Sequence, residues 1–119
     1  MPACPFCKPQ EVLLAENEIA LAIRDRHPIS MGHALIIPRR HVSSIFVLTL
    51  KEYLGCFELV RTVKELLEDS HAPEGFNLLV NNGAAAGQTV EHAHIHMVPR
   101  YKDDALRPSP LHPASLPGT

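Results

Sequence analysis

"VEHAHIHMVPR", residues 90–100, sets His92, His94 and His96 at every second position with Ala93, Ile95 and Met97 between them. An extended chain alternates its side chains between two faces. Read as a strand, His92 to Val98 puts three imidazoles on one face and an apolar row on the other, where it can meet a core. Same-face neighbours stand about 7 Å apart along a strand, so one ring can attack a ligand while its neighbours bind other groups. Two other readings compete. The histidines can lie on the wet side of a half-exposed strand, or they can form a zinc site, although three in-line positions converge poorly on one tetrahedral ion.

Outward from this strand the chain reads as a small α+β domain. "FNLLVNN" (Phe76 to Asn82) is a second strand and "GAAAGQT" (Gly83 to Thr89) a glycine-bearing loop. "IALAIRD" (Ile19 to Asp25) and "HALIIP" (His33 to Pro38) are apolar runs joined by "RHPISMG", and together they suggest a hairpin. Thr49 followed by Glu52 matches a capping box, so the spacing predicts one long helix from Leu50 to about Asp69, ended by Pro73. Its apolar residues Leu50, Tyr53, Leu54, Phe57, Leu59, Val60, Val63, Leu66 and Leu67 cover well over half of the helical wheel. One core needs a stripe of roughly 100°, so the surplus points to a second buried side. From Leu106 on, four prolines in fourteen residues predict a loosely ordered tail.

Composition limits the function classes. The 119 residues fit a single domain, and 45% hydrophobic with 20% charged residues fits a soluble globule. A net charge of −2 gives no basic surface for nucleic acid or membrane, so an anionic ligand has to be held locally. No apolar run is long enough to span a membrane and "MPACPFCKPQ" is no signal peptide, so the expected compartment is the cytoplasm. There Cys4 and Cys7, a C-x-x-C pair, point to metal or redox chemistry rather than to a disulfide. Pro9 argues against the helix that a thiol oxidoreductase would start at Cys7, which makes redox catalysis the lesser reading. "PRRH", ending at His41, supplies a candidate third metal ligand. Cys56 reads as a core residue.

"HAHIHMV" resembles the signature of the histidine-triad (HIT) nucleotidyl hydrolases and transferases, three histidines alternating with apolar residues. The likeness extends through "GQTV" (Gly87 to Val90), "VNNG" (Val80 to Gly83) and "DRHPISMGHALIIPRRH" (Asp25 to His41), and so from Cys4 to about Tyr101. It implies an antiparallel sheet of about five strands with one long and one short helix, a HIT domain over residues 1–105, and a Pro-rich tail over 106–119. The third triad position is His96 rather than the glutamine of the galactose-1-phosphate uridylyltransferase branch, which disfavours that substrate.

The resemblance also implies roles. His94 is the nucleophile toward the α-phosphorus of a nucleotide ester, amide or anhydride, a task suited to neutral imidazole. His96 is its phosphate-side partner and His33 a further histidine of the site. Asp25 grips ribose hydroxyls, and Asn81 contacts nucleotide or phosphate. The loop fits an anion cradle, with close backbone approach at Gly87 and an amide and a hydroxyl on Gln88 and Thr89. In zinc-bearing members of bacterial type His92 joins Cys4, Cys7 and His41, giving one structural Zn²⁺ per chain with no open position. The family's habit of pairing, with the wide apolar arc of the helix, implies a homodimer.

The expected activity is hydrolysis of purine nucleotide phosphoramidates or dinucleoside polyphosphates, adenosine-type favoured, through a nucleotidyl-histidine. A nucleotidyltransferase using the same intermediate and a non-catalytic nucleotide-binding protein are the alternatives. His27, His71 and His112 match no motif, and Arg39, Arg40 and Arg100 read as solvated charges.

Overall fold

A computed structural model describes residues 4–102 and 104. Five strands, β1 (Leu13–Glu16), β2 (Ala20–Arg24), β3 (Ala34–Pro38), β4 (Gly75–Leu79) and β5 (Ile95–Arg100), form one sheet in the order β1-β2-β3-β5-β4. Every neighbouring pair is antiparallel. One long helix, α1 (Leu50–His71), crosses between β3 and β4. The α+β architecture expected from the sequence is the observed one. Short 3₁₀ turns lie at Ile45–Val47 and Ala84–Ala86. The Pro-rich stretch 106–119 lies outside the described residues.

Period-two alternation gives the sheet two different faces. Ala20 and Ala22 of β2, Ala34 and Ile36 of β3, and Ile95 and Met97 of β5 meet Cys56, Leu59, Val60, Val63 and Leu67 of α1 in the main core. The small alanines let the helix lie close to the sheet. The residues between them, Leu21, Ile23, Leu35 and Ile37, pack with Phe6 on the far face. No helix covers that side among the described residues, and the triad histidines open onto it.

Three local readings need amendment. First, β1 was not foreseen. It is an edge strand with a register irregularity between Leu13 and Ala15 and a half-exposed pattern, so it lacks the apolar run that marks a buried strand. Second, α1 runs to His71, beyond Asp69, and stops at Ala72, whose left-handed φ of 49° returns its N–H to the Glu68 carbonyl before Pro73. At its other end the capping box is present in both directions. Third, only His96 of the triad lies within a regular strand. Pairing of β3 with β5 ends at Ile36–Ile95, and upstream of it the Ala93 N–H bonds to the Val42 carbonyl.

The surplus apolar arc of α1 is real. Leu50, Leu54, Phe57 and Leu66 are exposed, as are Phe46 and Val47 in the neighbouring turn.

Gly55 faces the sheet where the β1–β2 turn meets the helix. Asn17 holds this turn, accepting from the Ile19 and Ala20 amides and donating to the Gly55 carbonyl at 2.9 Å. A β-carbon on Gly55 would fall 2.4 Å from Ile19 Cβ. Gly55→Ala is therefore expected to lower stability by about 1–3 kcal/mol through overpacking, against the ~1 kcal/mol gain in helix propensity that alanine brings elsewhere. Urea denaturation checks this. A stabilised variant would show that the turn yields at little cost.

Candidate active site and metal centre

His92, His94 and His96 are all buried, yet each ring is held differently. His92 Nε2 donates to the Pro38 carbonyl at 2.7 Å. His94 Nδ1 donates to the His92 carbonyl at 2.7 Å. A carbonyl only accepts, so both donating nitrogens carry the proton, and the lone pair of a neutral ring sits on His92 Nδ1 and on His94 Nε2. Rings of His94 and His96 are 5.1 Å apart, and Phe6 meets His94 edge-on at 4.9 Å. Phe6 was not singled out from the sequence. It lies between the two cysteines, where its position reads only as a spacer.

Behind His96 stands His33, delivered from the start of β3 by the β3–β5 register that pairs Leu35 with His96. His33 Nε2 is 3.0 Å from His96 Nδ1 and 3.2 Å from Asp25 Oδ2. Its other nitrogen, Nδ1, accepts the Ile29 N–H at 3.2 Å. Burial pulls the His33 pKa below its ordinary value, with Asp25 opposing the shift, so the ring is neutral at physiological pH. Asp25 Oδ1 accepts the His27 N–H at 2.8 Å. Asp25 also borders a cavity of about 190 Å³ whose apolar walls include Phe6, Ile23, Leu35 and Val90, with Arg26 at its edge.

The loop preceding the triad departs in one respect from the anion cradle expected of it. Gly87 has a φ of 97°, which favours glycine, and a side chain there would approach Asn81. Asn81 is buried and Thr89 exposed. Gln88, however, turns its amide inward, accepting from the Gly83 N–H and donating to the Ser43 and Val90 carbonyls. Those bonds brace the loop. Arg39, Arg40 and Arg100 are paired with Glu16, Glu52 and Asp104 rather than simply solvated. Bonded to Arg40 and to the Thr49 amide, Glu52 is pulled down to about 2.

A second cluster forms at the N-terminal end. Cys4 Sγ and Cys7 Sγ lie 3.4 and 3.7 Å from His92 Nδ1, and His41 Nδ1 is 3.1 Å from Cys7 Sγ. All four donor atoms fall within 4.8 Å of one another. That spacing suits a tetrahedral ion with bonds of about 2.0–2.3 Å. The donor set fits as well. The Pro38 carbonyl holds the His92 ring with its Nδ1 lone pair toward the sulfurs, as an outer partner does for a metal-bound histidine. Burial and the adjacent Cys4 raise the Cys7 pKa, and a divalent cation is what would stabilise two neighbouring thiolates. Zn²⁺ held here would be structural, tying the N-terminal segment to the chain that carries His94.

Sheet, single long helix and histidine-bearing strand on the uncovered face define an α+β protein of the histidine-triad class. Comparison with known proteins agrees: residues 8–103 match the HIT domain, and the chain belongs to that family. Several relatives have named activities, two of them as follows. Adenosine 5'-monophosphoramidase hnt1 of Schizosaccharomyces pombe is 36% identical over 107 residues, 86% of this chain and 77% of that protein. Adenylylsulfatase HINT3 of Arabidopsis thaliana is 37% identical over 108 residues, 87% of this chain but only 55% of that protein. Among solved structures, a zinc-bound histidine-triad protein from Mycobacterium smegmatis superposes with a TM-score of 0.78 at 30% identity, covering 88% of this chain and 80% of that one.

Proposed function

We propose that this protein is a nucleotide hydrolase of the HIT type that cleaves the α-phosphate bond of adenosine-type phosphoramidates or dinucleoside polyphosphates. The observation that carries this reading is the His94 hydrogen bond to the His92 carbonyl, which keeps the lone pair on Nε2. That nitrogen attacks the α-phosphorus, forming an N–P bond as the bond to the amine or polyphosphate breaks. Water then cleaves the nucleotidyl-histidine, so one difficult displacement becomes two. His96 stabilises charge on the phosphoryl group, and Asn81, Gly87 and Thr89 border its approach. Gln88 contributes by holding the loop. The named activities of the two relatives support the substrate class. The mechanism is tested by mixing the protein with an α-labelled substrate and quenching in alkali, where an N–P bond survives. The label is expected within residues 90–100. Inversion at a chiral α-phosphorus, with no label trapped, would favour direct attack by water.

In this reading the apolar cavity receives the base and Asp25 the ribose. Oδ1 retains a lone pair beyond its bond to the His27 N–H, and Oδ2 accepts no hydrogen bond among the described residues, so both oxygens can take a hydroxyl. Asp25→Ala is expected to weaken binding of ribonucleotides by about 10- to 100-fold, the worth of one or two charge-assisted hydrogen bonds, and to leave 2′,3′-dideoxy analogues far less affected. Titration calorimetry with both ligands decides it, and equal losses would remove Asp25 from ribose recognition.

The protein works in the cytoplasm as a homodimer, with the exposed Leu50, Leu54 and Phe57 face of α1 forming much of the contact. Light scattering is expected to give twice the chain mass, falling to the monomer in Leu54→Glu. A monomeric wild type at micromolar concentration would refute it.

A further inference from the structure

Asp25, His33 and His96 form a buried cluster in which the donors and acceptors of the two histidines can be assigned one by one. The Ile29 amide can only donate, so His33 Nδ1 accepts and the proton of a neutral His33 resides on Nε2. That N–H bonds to His96 Nδ1 at 3.0 Å, while Asp25 Oδ2 lies 3.2 Å from the same nitrogen without hydrogen-bond geometry. The spacing of these three atoms would also suit a 2-His-1-carboxylate metal site. A metal, however, would need the His33 Nε2 lone pair, and the Ile29 amide places a proton there instead. Within the cluster His33 and His96 are joined by a hydrogen bond, with the Asp25 carboxylate beside them.

With Nδ1 accepting, the proton of a neutral His96 resides on Nε2, at the opposite edge of its ring. The two adjacent histidines then have opposite tautomers. His94, anchored by the His92 carbonyl, carries its lone pair on Nε2. We propose that His33 is a positioning residue that sets the tautomer of His96, so that His96 offers an Nε2–H donor to the phosphoryl group beside the lone pair of His94. The Ile29 amide fixes the His33 proton on Nε2, and the Asp25 carboxylate adds a negative charge beside it. A donor aimed at the phosphoryl oxygens stabilises the charge that builds there during attack. If the tautomer of His96 were reversed, lone pairs would face the phosphoryl oxygens from both rings.

The inference rests on the reading of His94 and His96 as the reacting pair, yet its first test needs no turnover. Long-range ¹H–¹⁵N correlation spectra of ring-labelled wild-type protein are expected to show neutral His96 protonated on Nε2 and His94 protonated on Nδ1. His96 protonated on Nδ1 in the wild type would overturn the proposal, even if no variant folds. In His33→Phe, which lacks the donor, the His96 signals are expected to shift toward the other tautomer. With that shift kcat should fall roughly 10- to 100-fold on an adenosine phosphoramidate with KM little changed, as for loss of one hydrogen bond to a charged centre. His33→Gln, which restores an amide N–H, should recover much of both. An unshifted His96 in His33→Phe, or equal losses in the two variants, would leave His33 with a structural role only. If wild type shows the expected tautomers but no phosphoramidate or polyphosphate turnover, the substrate reading fails and the tautomer assignment stands.

Discussion

His94→Ala is expected to lower kcat/KM on an adenosine phosphoramidate by about 10⁴-fold or more, the scale seen when a covalent nucleophile is removed. Neither neighbour can replace it. His92 directs its lone pair toward the two sulfurs, and His96 Nδ1 faces His33. Because His94 is buried against the edge of Phe6, its removal also leaves a small void. His94→Asn, closer in volume and shape, is the companion variant, with circular dichroism and nucleotide binding as controls for the fold. Activity above a few per cent in either folded variant would move the nucleophile elsewhere.

The second large effect concerns the Cys4, Cys7, His41 and His92 cluster. Protein purified without chelator is expected to carry about one zinc per chain, and Cys7→Ser to lose nearly all of it. Metal binding that requires a preformed site contributes directly to folding free energy. Losing even two to three kcal/mol of it would lower the melting temperature of a chain of this size by about 10 °C. The effect should reach catalysis as well. His92 is both a donor of the cluster and the source of the carbonyl that holds His94, so loosening one disturbs the other. Elemental analysis with differential scanning calorimetry checks the first two effects. A wild type that is metal-free and as stable as Cys7→Ser would refute the site.

Much of the fold was legible in local patterns. The Thr49–Glu52 box and Pro73 bracket α1 because capping and the effect of proline act over a few residues. Continuous apolar runs mark β2 and β3, and apolar residues alternating with histidine mark β5, since each strand buries residues on both faces of the sheet. By contrast β1 escaped notice because an irregular edge strand needs little burial. Gly55 was equally hidden: in a helical pattern it looks like a mild defect, and only the Ile19 side chain above it explains it.

For the site, the alternation of His92, His94 and His96 marked the candidate reacting element, and the C-x-x-C pair marked one end of the Cys4, Cys7, His41 and His92 cluster that the fold assembles. The chemistry of each ring was decided elsewhere. Cys4 lies 88 residues from His92, and His33 lies 63 from His96. Strand register and loop closure bring such partners together, and no local pattern encodes either. An imidazole is nucleophile or donor according to which nitrogen is protonated, and that depends on the one acceptor or donor facing it. Spacing along the chain put three equivalent histidines in a row. Packing made them unequal, with His92 turned to the sulfurs, His94 locked on a backbone carbonyl and His96 held by His33, because a buried ring turns a nitrogen toward the polar group it meets and each ring met a different one.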